Sequence, residues 1–261
     1  MGFNIYKFAE DFKNTIDWML NGEHAQTIKA ELQHFRNNKD TLTGNPDSIE
    51  ALGTIIELLK TNGWHFRTPA RFHKDWESFV ERHGKNFRTE EAKGELIRMV
   101  GERKREIEKL FTYRTLKQFT EKLYTLAQNG QTDVLGEKGR DNYLRDFGYW
   151  DRIPMDVHEK RFIIRSGIYH ACTAKDKSDH LGGEDLHDAL TRFCTKYLKN
   201  HVVEEIELGS APGIVDIFIW SFSAEDRYNI CGATPNCEKC NLKNVCLYAL
   251  TNLELQTRIS S

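Results

Sequence analysis

Cys231, Cys237, Cys240 and Cys246 follow the order C-x5-C-x2-C-x5-C within sixteen residues. No other feature constrains the fold of this chain as strongly. A segment that short has to wrap one centre in a single compact loop, because four thiolate ligands around one tetrahedral metal or one cubane cluster demand it. The spacing leaves the centre open between iron-sulfur and zinc, with disulfides as a plainer alternative. Zinc more often sits between two separated C-x2-C knuckles, and here one close pair is flanked by single cysteines, which leans toward a 4Fe-4S cluster.

The surrounding composition fits a reducing compartment in which cysteines serve metals. The chain has 261 residues, 39% hydrophobic and 11% aromatic, enough to bury a real core in two lobes or one large domain. No run approaches the roughly 18 consecutive apolar residues of a membrane span, and the start MGFNIYKFAEDF lacks the layout of a secretion signal. A cytoplasmic, nucleoid-associated location and no membrane partner are expected. The formal net charge of −2 gives no global basic signature, so nucleic-acid binding would have to rest on a local basic face. Cys172 and Cys194 read as small buried hydrophobes with no further role.

Apolar periodicity predicts an all-α chain. After the Pro46-Asp47 turn, Ile49, Leu52, Ile55, Ile56 and Leu59 recur at helical spacing, with Glu50 in a capping box and Asn62-Gly63 as the stop. A second helix opens at Thr115, carries Leu116, Phe119, Leu123 and Leu126 on one face, and ends at Asn129-Gly130. Further helices are expected over 5–20, 22–37, 93–111, 185–199 and 214–223. Alternating strand patterns are essentially missing. The polar run from Lys175 to Gly183 reads as a surface loop, and the sharpest boundary falls between Gly148 and Pro154. The expected division is therefore an N-terminal helical region over 1–80, a helical lobe over 81–150, and a second lobe with the cysteine loop over 151–261.

The segment Gln131 to Arg165 carries the chemistry. A turn through Val134, Leu135 and Gly136 leads into a short helix expected over Gly139 to Phe147, and two helices joined by such a turn make a helix-hairpin-helix. Its backbone N–H groups, around Gly136 and Gly139, can hold a phosphate without side-chain charge. Lys138 stands at the start of the second helix, where the positive end of the dipole disfavours an ammonium; with partial desolvation its pKa falls and it becomes a nucleophile. A solvated turn lysine is the plain alternative. Asp156 precedes Glu159 by three residues and reads as a helix N-cap, a position that keeps a carboxylate ionised and able to take a proton. His158, Arg161 and Arg165 follow on that helix, as a polar face or as phosphate contacts.

These residues resemble the helix-hairpin-helix DNA glycosylases of the endonuclease III type that carry an iron-sulfur loop. Gly136-Glu137-Lys138 is similar to the family's hairpin glycine, intervening residue and nucleophilic lysine, and Lys138 precedes Asp156 by eighteen residues, as in that family. Met155-Asp156-Val157-His158 with Arg161 looks like its Val-Asp-Thr-His segment and following arginine, and Val215-Asp216 with Trp220 resembles the helix before its cluster. The likeness runs from Leu116 to Tyr248. This chain places five residues between the first two cysteines where the family usually has six, and Thr132-Asp133-Val134 replaces the hairpin Leu-Pro-Gly, putting an acid where phosphate would approach.

The resemblance implies two helical lobes facing each other across a cleft, and a monomer acting on double-stranded DNA that contains a damaged base or an abasic site. Lys138 would attack the sugar and form a Schiff base, giving AP lyase activity, with Asp156 as the proton-accepting and charge-stabilising group. The 4Fe-4S cluster, on Cys231, Cys237, Cys240 and Cys246, would order a loop whose Lys239 and Lys243 touch phosphates, alongside Arg161, Arg165 and the hairpin glycines. Two alternatives stand beside it: a monofunctional glycosylase in which Asp156 activates water, and an iron-sulfur DNA-binding protein without catalysis.

Overall fold

The apolar residues spaced for helices lie on buried helix faces in the structure, a computed structural model that describes residues 2–61, 70–173 and 183–252. In chain order the helices are α1 (Ile5–Met19), α2 (Ala25–Asn38), α3 (Thr41–Gly44), α4 (Ile49–Thr61), α5 (Ala70–His83), α6 (Glu90–Val100), α7 (Lys104–Leu110), α8 (Leu116–Gln128), α9 (Glu137–Asp146), α10 (Val157–Ser166), α11 (Ile168–Cys172), α12 (Gly183–Tyr197) and α13 (Pro212–Ser223). One small hairpin, β1 (Val202–Val203) and β2 (Ile206–Glu207), pairs antiparallel before α13. Its turn residues Glu204 and Glu205 adopt φ of 45° and 66°. That hairpin carries no local signal, because the left-handed turn it uses usually advertises itself with Asn-Gly or Asp-Gly.

The chain divides into two compact units, Met1–His34 with Trp150–Ser261, and Phe35–Tyr149. This differs from the expected segments 1–80, 81–150 and 151–261, and packing supplies the reason. In the first unit, the N-terminal helix α1 puts Phe8 and Phe12 against Phe162 and Phe193, with ring centroids 5.4 to 6.4 Å apart, so its core is built with the C-terminal half of the chain. In the second unit, Leu52, Ile55 and Phe79 share one apolar cluster with Leu96, Phe119, Leu123 and Leu144, so no border exists near residue 80. The return point at Trp150 does fall within the expected Gly148 to Pro154 interval.

Local chemistry accounts for most helix ends. The helix expected over 93–111 is two helices, because Gly101 takes φ +62° and stops α6. Thr115 caps α8 by accepting the Gln118 N–H at 3.2 Å, as its sequence position suggests. At α4 the cap is Ser48, whose Oγ accepts the Ala51 N–H at 3.3 Å. Asp47, the expected opener of α4, is spent elsewhere: its carboxylate takes Arg88 Nε and Nη2 at 2.8 and 2.6 Å and the Leu116 N–H at 2.8 Å. It thus caps α8 and ties it to Arg88, which also donates to the Tyr113 carbonyl at 3.0 Å. The Asn62-Gly63 stop and the run from Lys175 to residue 182 lie outside the described residues.

Candidate functional site

In the Phe35–Tyr149 unit, α8 and α9 are joined by a turn that begins with a C-terminal cap: Gly130 at φ +64° and the Gln131 N–H on the Leu126 carbonyl at 2.8 Å. Val134 and Leu135 are buried and anchor the turn, and the two helices meet through the Tyr143 and Thr120 hydroxyls at 2.7 Å. The helix starts at Glu137, two residues earlier than expected, so half-buried Lys138 lies in its first turn rather than before it. Gly136 is its N-cap, in an extended conformation with φ −64° that any residue could adopt. A Cβ at Gly136 would meet nothing within 4 Å, and one at Gly139 only Leu135 Cβ at 3.8 Å. Among the described residues, packing therefore does not require either glycine, and space is open beside Gly136, where a bound group would need close backbone approach.

The residue that fixes this turn carries no signal in the sequence. Arg140 is almost fully buried, donates Nη1 to the Gln131 carbonyl, and holds the Asp141 carboxylate through Nε at 2.9 Å and Nη2 at 3.0 Å. A buried guanidinium survives only when paired and hydrogen-bonded, and here the pairing locks the turn onto α9. In a linear sequence it reads as one more charge on a polar helix. Asp133, expected to repel phosphate, forms an ion pair with Lys109 and accepts from the Tyr113 hydroxyl at 3.5 Å, so much of its charge is already met.

In the other unit, Asp156 is the N-cap of α10 as expected, accepting the His158 N–H at 2.6 Å while its own N–H donates to Glu159 Oε2 at 3.0 Å. The approach to this cap is rigid. Ile153 and Pro154 are buried, and the Gly213 N–H on α13 donates to the Trp150 carbonyl at 2.8 Å. A Cβ on Gly213 would sit 2.1 Å from the Arg152 carbonyl oxygen, so only glycine permits this approach. Glu159 and Asp216 are both buried beside the cap. Burial, reinforced by the carboxylates of Asp216 and Asp156, pushes Glu159 well above the usual carboxylate range. Lys138 and Asp156 belong to different units.

The cysteine loop follows α13. The N–H groups of Ile230 and Cys231 donate to the Phe222 carbonyl, Asn236 closes on Ile230 at 2.8 Å, and Ile230, Leu242, Val245 and Ala249 bury the loop's apolar side. Burial pushes the Cys231, Cys240 and Cys246 thiols up, Cys240 to about 12, and in each case neighbouring cysteines of the loop add to the rise. The four sulfurs are thus near enough to disfavour one another's thiolates. A cationic metal core is the compensation such a donor set calls for, so these residues fit a 4Fe-4S cluster in their chemistry. Among the described residues no three His, Cys, Asp or Glu side chains close round a single-ion site. Burial also pushes up the Cys172 and Cys194 thiols; Cys194 is a core residue as expected, whereas Cys172 is only half-buried.

Arg165 corrects one expectation. It does not present a free guanidinium for phosphate: Nη1 donates to the Gly232 carbonyl at 2.6 Å and Cys231 at 3.4 Å, Nη2 to Ala233 at 3.0 Å, and the head lies 5.6 Å from the Tyr248 ring centroid. Its own carbonyl accepts from the Cys246 thiol at 3.2 Å. Arg165 clamps the start of the cysteine loop to α10. Lys239 and Lys243 are exposed and Arg161 is half-exposed, and none forms an ion pair with a described residue. Comparison with protein families, curated proteins and solved structures found no match.

Proposed function

We propose that this protein is a DNA repair glycosylase that flips a damaged base out of the duplex, excises it, and then nicks the strand as an AP lyase. The observation that carries the reading is Lys138 in the first turn of α9, after an N-cap glycine with open space over it, in the place where the sequence puts the nucleophile. Asp156 on its cap and the four-cysteine loop complete the set that the sequence resemblance calls for.

Flipping exposes the glycosidic bond, which the stacked helix hides. The Lys138 amine, once neutral, attacks the anomeric carbon; the base departs with the bonding pair and is protonated. Loss of the amine proton and opening of the sugar leave a Schiff base between Lys138 and the former anomeric carbon, and β-elimination then breaks the bond to the 3′ oxygen. Asp156 takes the amine proton and opposes the positive charge that develops on the sugar. A bound 4Fe-4S cluster supplies structural order to the loop that presents Lys239 and Lys243. Those lysines and Arg161, which form no ion pair with a described residue, meet phosphates of a duplex bound by one copy of the chain.

Borohydride trapping on duplexes that each carry one damaged base or an abasic site tests the reading. A covalent protein-DNA adduct is expected with wild type and none with Lys138→Gln, while Asp156→Asn slows base removal by orders of magnitude. Base loss without an adduct would move the chemistry to water activated by Asp156, and no base loss on any duplex would refute the glycosylase reading.

A further inference from the structure

At the far end of α9 from Lys138, the Phe35–Tyr149 unit holds a cavity of about 170 Å³ that the chemistry described above does not use. Lys138 stands nine residues before Phe147, so the two lie about 13 Å apart along the helix axis. Gly148, at φ +98°, lets the Tyr149 N–H reach back to the Leu144 carbonyl at 3.0 Å, and a Cβ there would press on the Lys39 carbonyl oxygen at 3.0 Å. The junction of α2 and α3 therefore passes close over the end of α9. The Lys117 N–H donates to the Pro46 carbonyl at 2.9 Å, which ties the first turn of α8 to the loop after α3. These backbone contacts fix the walls of the cavity.

Its lining has two characters. Leu42, Thr120 and Phe147 are buried and close the inner wall, where the Thr120 hydroxyl is committed to the Leu116 carbonyl and the Tyr143 hydroxyl at 2.8 and 2.7 Å. Tyr149 adds an aromatic ring, steadied by Tyr124 with centroids 4.4 Å apart. The rim is polar: Asp40 and Thr43 are exposed and Lys117 half-exposed, and their side chains form no hydrogen bond or ion pair with a described residue. The Thr43 N–H on the Asp40 carbonyl at 3.1 Å keeps the first two together. Lys39 also lines the cavity, so its lysines outnumber its acid. The volume exceeds the roughly 150 Å³ in which an apolar protein cavity admits benzene, so one planar ring fits.

We propose that this cavity binds a nucleoside monophosphate unit. The base enters against Leu42, Phe147 and Tyr149, an N–H on its edge donates to the Asp40 carboxylate, and the phosphate stays at the rim on Lys117 and the Thr43 hydroxyl. A base alone leaves Lys117 unmet, and a phosphate alone leaves the apolar wall unfilled. An aromatic amino acid fills the wall but brings its own cation to a rim where lysines predominate. The same unit occurs free in solution and within a DNA strand, and the site recognises the chemistry that the two share. It does not rest on the glycosylase reading.

Isothermal titration calorimetry of the intact chain with thymidine 5′-monophosphate tests the site. Saturable binding of one nucleotide per chain is expected, with inorganic phosphate and thymidine each at least about tenfold weaker, since each keeps only part of the contacts. Lys117→Ala should raise Kd about tenfold, and Thr43→Phe, which plugs the rim from an exposed position, should abolish binding with the melt unchanged. Lys122→Ala, at an exposed lysine of the same helix outside the cavity, and Lys138→Gln should leave the affinity as it is. Competition separates the two sources: a short thymidine oligonucleotide that displaces the mononucleotide identifies a strand as the ligand, and one that leaves it in place identifies the free nucleotide. The site would be overturned by the lack of saturable binding at millimolar nucleotide, or by inorganic phosphate or phenylalanine binding as tightly as the nucleotide. An equal loss in Lys117→Ala and Lys122→Ala would overturn it too, because diffuse charge would then account for the binding.

Discussion

Truncating Arg165 to alanine separates two roles that a sequence cannot distinguish, phosphate contact and loop clamp. The side chain makes two good hydrogen bonds to backbone carbonyls, at 2.6 and 3.0 Å, and a weak one at 3.4 Å, and it lies over Tyr248. Charged hydrogen bonds contribute about 1.5–3 kcal/mol each when buried. Arg165 is half-buried, so water recovers part of this, and the cation-π contact adds about 0.5 kcal/mol. The net loss is about 3 kcal/mol, or a melting temperature lower by roughly 6–12 °C at about 2–4 °C per kcal/mol for a unit of this size. Because the loss falls on the loop that holds Cys231, the variant should also retain less than the about four irons per chain expected of a single cubane. Melting, iron content and the salt dependence of duplex affinity are measured on the same preparations. Arg165→Lys should recover little, since an ammonium cannot span several carbonyls as a planar guanidinium does. A normal melt and full iron content, with a log-log salt slope shallower by about 0.9, would show that Arg165 meets a phosphate and that the clamp is wrong.

Two further substitutions test how the units are held. Asp47→Ala removes the α8 cap and strands the Arg88 guanidinium; the carboxylate is about a third exposed (31%), so the expected cost in urea unfolding is about 2–3 kcal/mol, with Asp47→Asn near half of that because it keeps the cap. A cost under about 0.5 kcal/mol would mean the clamp is not formed in solution. Gly213→Ala forces backbone apart at the Arg152 carbonyl and should cost about 3 kcal/mol or more while displacing the chain leading to Asp156, seen as lowered stability and slowed base excision together; an unaltered melt would contradict the close approach.

The helices and the order of the chemical groups are legible along the chain. Thr115 and Asp156 are caps because a short polar side chain before an apolar-periodic run has one good use, and the four cysteines mark one loop because their spacing permits nothing larger. Such features are local: a cap or a ligand spacing acts over a few residues, so it is written in consecutive letters. Which partner each charge meets is settled only through space. Asp47 looked like the cap of the helix beside it and instead serves Arg88 and α8, 69 residues away. Arg165 and Arg161 share one helix and one residue type, yet the first is spent on carbonyls 66 to 68 residues downstream and the second makes no ion pair with any described residue. Arg140 and Glu159 read as ordinary helix charges, and only burial makes the one a lock on a turn and the other a neighbour that cannot ionise freely. The N-terminal helix joins the C-terminal half for the same reason, since aromatic faces find partners through space and leave no mark of that choice along the chain.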